Sequence, residues 1–206
     1  MTLQKIVQER NITKLFHFTH SDNLSSIIQR GLKSKKELDD EKIAHNHNDD
    51  KRLDGHTNAI CLSISYPNAK MFYKYRQEKQ GDWILLEISP TILWDKDCAF
   101  YPTNAASNNV RMNKVSLMQG VSAFNAMFED SIFAIERCST LPTEFTTDVQ
   151  AEVLVFDRIE ASYIQKVIHP NEASATRFRC LDTTLQHDHC DPNTKTFYSQ
   201  RDYFLG

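Results

Sequence analysis

Short apolar runs separated by polar breaks, rather than one sustained period, organise this chain. In Leu15-Phe16-His17-Phe18-Thr19-His20, aromatic and polar side chains alternate. This predicts a strand with Phe16 and Phe18 on one face and His17 and Thr19 on the other. Ser21-Asp22-Asn23 then supplies capping oxygens, Leu24, Ile27 and Ile28 follow at helical spacing, and Gly31 suits a left-handed C-terminal position. A helix over about residues 22–30 is expected. A second strand, Ala59-Ile60-Cys61-Leu62-Ser63-Ile64-Ser65, places Cys61, Ser63 and Ser65 on one face, and Pro67 suits the first turn of a helix carrying Met71, Phe72 and Tyr75.

Trp83-Ile84-Leu85-Leu86-Glu87-Ile88 is apolar at nearly every position, as expected of a central strand covered on both faces, and Pro90 ends it. Ile92-Leu93-Trp94 starts a short turn or helix. Residues 96–130 join a turn-rich stretch to a Val121, Phe124, Phe128 stripe of helical spacing. Gln150-Ala151-Glu152-Val153-Leu154-Val155-Phe156 and Tyr163-Ile164-Gln165-Lys166-Val167-Ile168 read as two further strands. Residues 33–57, rich in Lys, Asp, Glu, His and Asn, form a long polar loop with some helix, and such loops often carry function. There is no internal repeat, and the irregular order of elements predicts an α+β fold.

Composition narrows the class. With 206 residues, 40% hydrophobic and 25% charged, the chain reads as a single domain able to bury a core without disulfide or metal staples. A net charge of -3 argues against coating long duplex DNA, which needs a dominant cationic surface, and leaves room for a short nucleic-acid footprint. Five scattered cysteines fit free thiols in a reducing compartment. The first residues carry no apolar leader and no run approaches the ~18 apolar residues of a membrane span, so a cytoplasmic protein without membrane contact is expected. Cys180, His187, His189 and Cys190 do not match a zinc-site spacing, and no metal is expected.

Glu152 is the chemically informative residue. It opens an apolar strand and shares a face with Gln150, Leu154 and Phe156, where a carboxylate is partly buried and paired. A strand-end glutamate reaching solvent has the same pattern, so Glu152 becomes significant only in company. That company is His17 with Thr19 on one strand and Ser63 with Ser65 on another, three polar pairs that could line one cleft.

Together these three motifs resemble those of the ADP-ribosyltransferase fold, and the chain more specifically resembles the DarT family of DNA ADP-ribosyltransferase toxins. The likeness rests on Phe16-His17-Phe18-Thr19-His20-Ser21-Asp22-Asn23-Leu24, Cys61-Leu62-Ser63-Ile64-Ser65-Tyr66-Pro67-Asn68, Phe100-Tyr101-Pro102-Thr103-Asn104-Ala105-Ala106 and Gln150-Ala151-Glu152-Val153-Leu154-Val155, and covers about residues 12–170. It implies a split, curved antiparallel sheet with flanking helices, and NAD as co-substrate. It also implies His17, Thr19, Asn23, Ser63 and Ser65 as cofactor-binding residues, with Glu152 and Arg52 catalytic.

Further implications concern acceptor and partners. The resemblance implies transfer of ADP-ribose to a thymine or guanine of single-stranded DNA, because ring atoms are inaccessible within a duplex. Gln150 and Phe145 fall where this fold selects its acceptor, Phe145 either stacking on an unpaired base or packing. A cognate antitoxin that removes ADP-ribose is implied as well. The candidates for phosphate contact are Lys33, Lys35 and Lys36; Lys70, Lys74, Arg76 and Lys79; and Arg111 with Lys114, each a solvated charge by default, and at most one cluster need touch phosphate. The alternatives are the same NAD chemistry on RNA or protein, or a non-catalytic nucleic-acid or partner-binding module.

Overall fold

Thr2 caps the first helix through its side chain, and the apolar pair Ile6 and Val7 anchors that helix to the core. The computed structural model describes residues 1–43, 53–191 and 193–202. In chain order the elements are α1 (Leu3–Glu9), β1 (Leu15–His20), α2 (Leu24–Arg30), α3 (Lys35–Asp40), β2 (Ala59–Ile64), α4 (Ala69–Glu78), β3 (Trp83–Ile88) and α5 (Ile92–Asp95). They continue with β4 (Cys98–Tyr101), α6 (Gly120–Ala126), β5 (Ser131–Ile132), β6 (Ile135–Glu136), β7 (Glu152–Phe156), β8 (Ile164–His169), α7 (Glu172–Arg179) and β9 (Gln186–His189).

Seven strands form one sheet in the order β4-β7-β2-β1-β3-β8-β9. Its pairs are antiparallel except β8 with β9, which is parallel and adds an edge strand to the expected antiparallel core. The β1–β2 junction is where the sheet is split. β1 pairs with β3 along its whole length, from Leu15 opposite Ile88 to His20 opposite Trp83, but with β2 only at Leu15–Ile64 and Phe16–Ser63.

One face of the sheet carries a continuous core, in which Leu15, Leu62, Ile84 and Val153 pack beneath α1, α2 and α6. On the other face the core divides at the split. Phe16, Trp83 and Leu85 pack with Phe72 and Tyr75 of α4, whereas Ala59, Ala99, Tyr101 and Leu154 pack with Ala105 and Val110 of the loop after β4. Divided packing leaves the strands free to part.

Several elements depart from the local pattern. β2 ends at Ile64, because Ser65 adopts φ 58°, a left-handed turn conformation that breaks the expected Ser63–Ser65 alternation. Pro67 precedes the N-cap of α4 rather than entering its first turn, and Asn68 is that cap, its side chain accepting from Met71 N. β7 begins at Glu152 rather than Gln150, because the Asp148 carboxylate accepts from Gln150 N and holds the preceding residues in a turn. β4 and β9 were not legible, being short and bordered by turns or polar residues.

Candidate active site

Beyond Phe16 and Ser63 the diverging strands leave an open cleft, lined by residues of β1, α2, β2 and α4 together with Asn104, Ala106 and Glu152. His17, Thr19, Asn23, Ser63 and Glu152 all line it. They do not project from one face. His17 lies opposite Leu86 and Thr19 opposite Ile84, so both share the main-core face, whereas Ser63 alternates with the core residues Leu62 and Ile64 and points the other way. Because the sheet is split there, side chains of both faces reach the same space.

His17 spans the split. Its Nδ1 lies 3.0 Å from the Cys61 carbonyl oxygen, which only accepts, so Nδ1 carries the proton. Asn23 donates through Nδ2 to Thr19 Oγ1 at 3.0 Å, tying the turn before α2 to β1. Ser63 Oγ accepts from Asn68 N at 3.1 Å, which links the end of β2 to the start of α4. Phe18, Met71 and Tyr75 give the cleft an apolar wall.

Glu152 is 5% exposed and is held on both carboxylate oxygens: Asn104 Nδ2 donates to Oε1 and Ala105 N to Oε2, each at 2.9 Å. Leu154 shares its face, as expected, and Tyr101 pairs with it across β4 and β7. Burial, assisted by the charges of Asp54 and Glu152, raises the Tyr101 phenol above its ordinary range, so it stays protonated. Its oxygen lies 3.2 Å from His56 Nε2. Asn104, Ala105 and Asp54 escaped the residue-level reading. No spacing marks an asparagine in a turn-rich stretch, and a backbone amide has no sequence signal.

Other expected site residues fall elsewhere. Among the described residues, the cleft lining does not include Ser65, Gln150 or Phe145. Ser65 is buried with its hydroxyl unpartnered among those residues. Gln150 sits in the turn before β7, and Phe145 is buried against Tyr66, rings edge-on with centroids 6.2 Å apart. Arg52 lies outside the described residues. Of the basic groups, Lys33 and Lys35 line the cleft, paired to Glu41 and Asp39, Lys36 pairs with Asp40, and Arg76 packs on Phe72 and Tyr198.

Near the C-terminus the soft ligands are engaged separately. His187 is buried in a hydrogen-bond chain, His189 pairs with Glu172, and all five cysteines are free thiols. No helix among the described residues is long and apolar enough to cross a membrane.

The profile of the family described as ssDNA thymidine ADP-ribosyltransferase, DarT, matches residues 16–198. The chain belongs to the DarT family. No curated protein matches it in sequence. Its fold is similar to that of Thermosipho africanus DarTG in complex with ADP-ribose, with a TM-score of 0.66 and 17% identity over 90% of this chain and 51% of that one. This chain thus spans about half the length of that relative. It is also similar to Thermus sp. 2.9 DarT in complex with carba-NAD+, with TM-score 0.58 and 12% identity over 91% and 98% of the two chains. The same Thermus protein with ADP-ribosylated ssDNA gives TM-score 0.54 and 14% identity over 92% and 97%.

Proposed function

We propose that this DarT-family chain is a toxin that transfers ADP-ribose from NAD to a thymine base of single-stranded DNA and releases nicotinamide. The observation that carries this reading is Glu152: a buried carboxylate, held on both oxygens, that lines a cleft shared with His17, Thr19, Asn23 and Ser63. The residues present suit NAD. Hydroxyl, amide and imidazole groups match ribose and carboxamide, and Phe18, Met71 and Tyr75 offer apolar faces to a planar ring. Cleavage of the nicotinamide glycosidic bond builds positive charge on the ribose, and a fixed carboxylate stabilises that charge where it develops. Glu152 takes this role, while His17, Thr19, Asn23 and Ser63 hold the dinucleotide.

Arg52 neutralises the diphosphate or orients the base, a reading supported by Asp54, two residues on, which lines the cleft. Gln150, two residues before Glu152, faces the acceptor. Ser65 acts on the cofactor site through the backbone turn after Ser63. The chain works as a single domain in the cytoplasm, opposed by an antitoxin that removes ADP-ribose from DNA.

The test is incubation of the protein with labelled NAD and, in parallel, thymidine-containing single-stranded DNA, duplex DNA, RNA and protein. Label on single-stranded DNA that disappears in Glu152→Ala is expected. Label on RNA or protein alone moves the acceptor, and label on nothing overturns the enzymatic reading.

A further inference from the structure

The two groups that hold Glu152 sit on residues 104 and 105, one step beyond Thr103, and Thr103 is itself tied down. Its Oγ1 donates to Asp148 Oδ2 at 2.6 Å, and both residues are buried, Thr103 at 7% exposure and Asp148 at 2%. The second oxygen of Asp148, Oδ1, accepts from Gln150 N at 2.9 Å, and its backbone carbonyl accepts from Thr146 Oγ1 at 2.7 Å and from Ala151 N at 3.1 Å. The contacts close a ring. From Asp148 the backbone runs four residues to Glu152; from Glu152 two hydrogen bonds cross to Asn104 and Ala105; and from there the chain returns through Thr103 to Asp148.

The ring begins where the sheet stops. β4 and β7 pair as far as Tyr101 and Glu152, so among the described residues no ladder hydrogen bond fixes the loop that follows β4 relative to the turn that precedes β7. Glu152 itself is fixed as the first residue of β7, paired with Tyr101, whereas its donors on Asn104 and Ala105 lie on the loop after β4, which the Thr103–Asp148 bond ties to the turn before β7. Neither Thr103 nor Asp148 is among the cleft-lining residues.

We propose that Asp148, through Thr103, is a positioning residue that locks the Glu152 carboxylate in the orientation used for transfer. The inference rests on the role given to Glu152 above. A misplacement of a catalytic group by about 1 Å costs about 100-fold in rate. Loss of the lock therefore lowers kcat while leaving NAD binding, which uses other cleft residues, largely intact.

The experiment measures kcat and KM for NAD on thymidine-containing single-stranded DNA with wild type, Asp148→Ala, Thr103→Val, Thr103→Ser and the Asp148→Ala/Thr103→Val double variant. Alongside, the Glu152 carboxyl resonance is followed in protein carrying 13C-carboxyl glutamate, assigned through Glu152→Gln. The expected result is a fall in kcat of about 10- to 100-fold in Asp148→Ala and Thr103→Val with KM little changed. Thr103→Ser, which keeps the hydroxyl, restores kcat, and the double variant is no worse than the weaker single, because both remove one link. The carboxyl resonance moves in Thr103→Val and stays in Thr103→Ser. An unmoved resonance, an unchanged kcat in folded variants, or losses that multiply in the double variant overturn the proposal. Should wild type transfer nothing to DNA, the functional reading fails by itself. The resonance then decides the positioning proposal: moved upholds it, unmoved ends it.

Discussion

His169 and His187 illustrate how single residues near the C-terminus work outside the cleft. His187 Nε2 faces Asp182 Oδ2 at 3.3 Å, so it bears a proton and leaves Nδ1 to accept from His169 Nε2 at 2.9 Å; His169 Nδ1 then accepts from Ser174 Oγ at 3.2 Å. The chain is satisfied with both rings neutral. Burial, reinforced by His187, pushes the fully buried His169 imidazole down to about 4. A depressed histidine keeps its full contribution to stability above its unfolded value of ~6.5 and loses it as pH falls towards 4, because folding then competes with protonation. The urea midpoint should decline across that window, and His169→Gln should flatten the decline while lowering the midpoint at neutral pH. A midpoint independent of pH between those limits sinks this account. Nothing in the one-dimensional pattern paired these residues: His187 was visible only as part of a poor zinc spacing, and its partner lies eighteen positions away in sequence.

Among the elements, α2 was the most legible and shows why. Its apolar spacing and C-terminal Gly31 are local signals, and the helix runs Leu24–Arg30 with Gly31 at φ 78°. The expected capping residues Ser21, Asp22 and Asn23 instead form a 3-10 turn in which His20 Nδ1 accepts from Asp22 N and Asn23 makes no side-chain cap. What the pattern did not reveal is the neighbour. A Cβ at Gly31 would be driven into the Ile159 carbonyl oxygen, beside the bridge between Leu32 and Ile159. Gly31→Ala therefore combines an unfavourable backbone conformation with a backbone clash, and should cost more than about 1 kcal/mol in denaturant unfolding. Because Gly31 also lines the cleft, KM for NAD should rise with it. An unchanged unfolding midpoint would contradict the packing described. The β1 pattern was equally readable, with Phe16 packed on the α4 side and Phe18 against Phe72, Tyr75 and Trp83.

For the whole molecule, residues 193–202 act as a clasp. The Tyr66 hydroxyl reaches the carbonyls of Thr196 and Ser199, the Tyr198 hydroxyl reaches those of Trp83 and Ile168, and Phe197 packs on Phe16 with ring centroids 4.7 Å apart. Arg201, 8% exposed, donates to the Thr146 and Thr147 carbonyls, immediately before Asp148 and the turn into β7. Burial lowers its pKa from the ordinary arginine value. Arg201→Ala strips those carbonyls of their donor and should destabilise the fold by about 1–3 kcal/mol. Lower DNA-transfer activity at temperatures where the protein remains folded should accompany it, read as kcat beside the thermal midpoint. Wild-type stability and rate in this variant would show that the clasp is dispensable.

Sequence alone determined the type of β1, α2, β2, α4, β3, β7 and β8 and the chemistry on them, because alternation, helical spacing and breakers act over a few residues. His17, Thr19, Ser63 and Glu152 were visible for that reason, and all line the cleft. Tertiary structure decided where the sheet splits, which lets side chains from opposite faces share one space and leaves Ser65 outside its lining. It also buried Phe145 against Tyr66, added a parallel edge strand, and placed Asn104 and Ala105 on Glu152. Those contacts join residues 47 and 48 positions apart, and no local period records a partner at that separation.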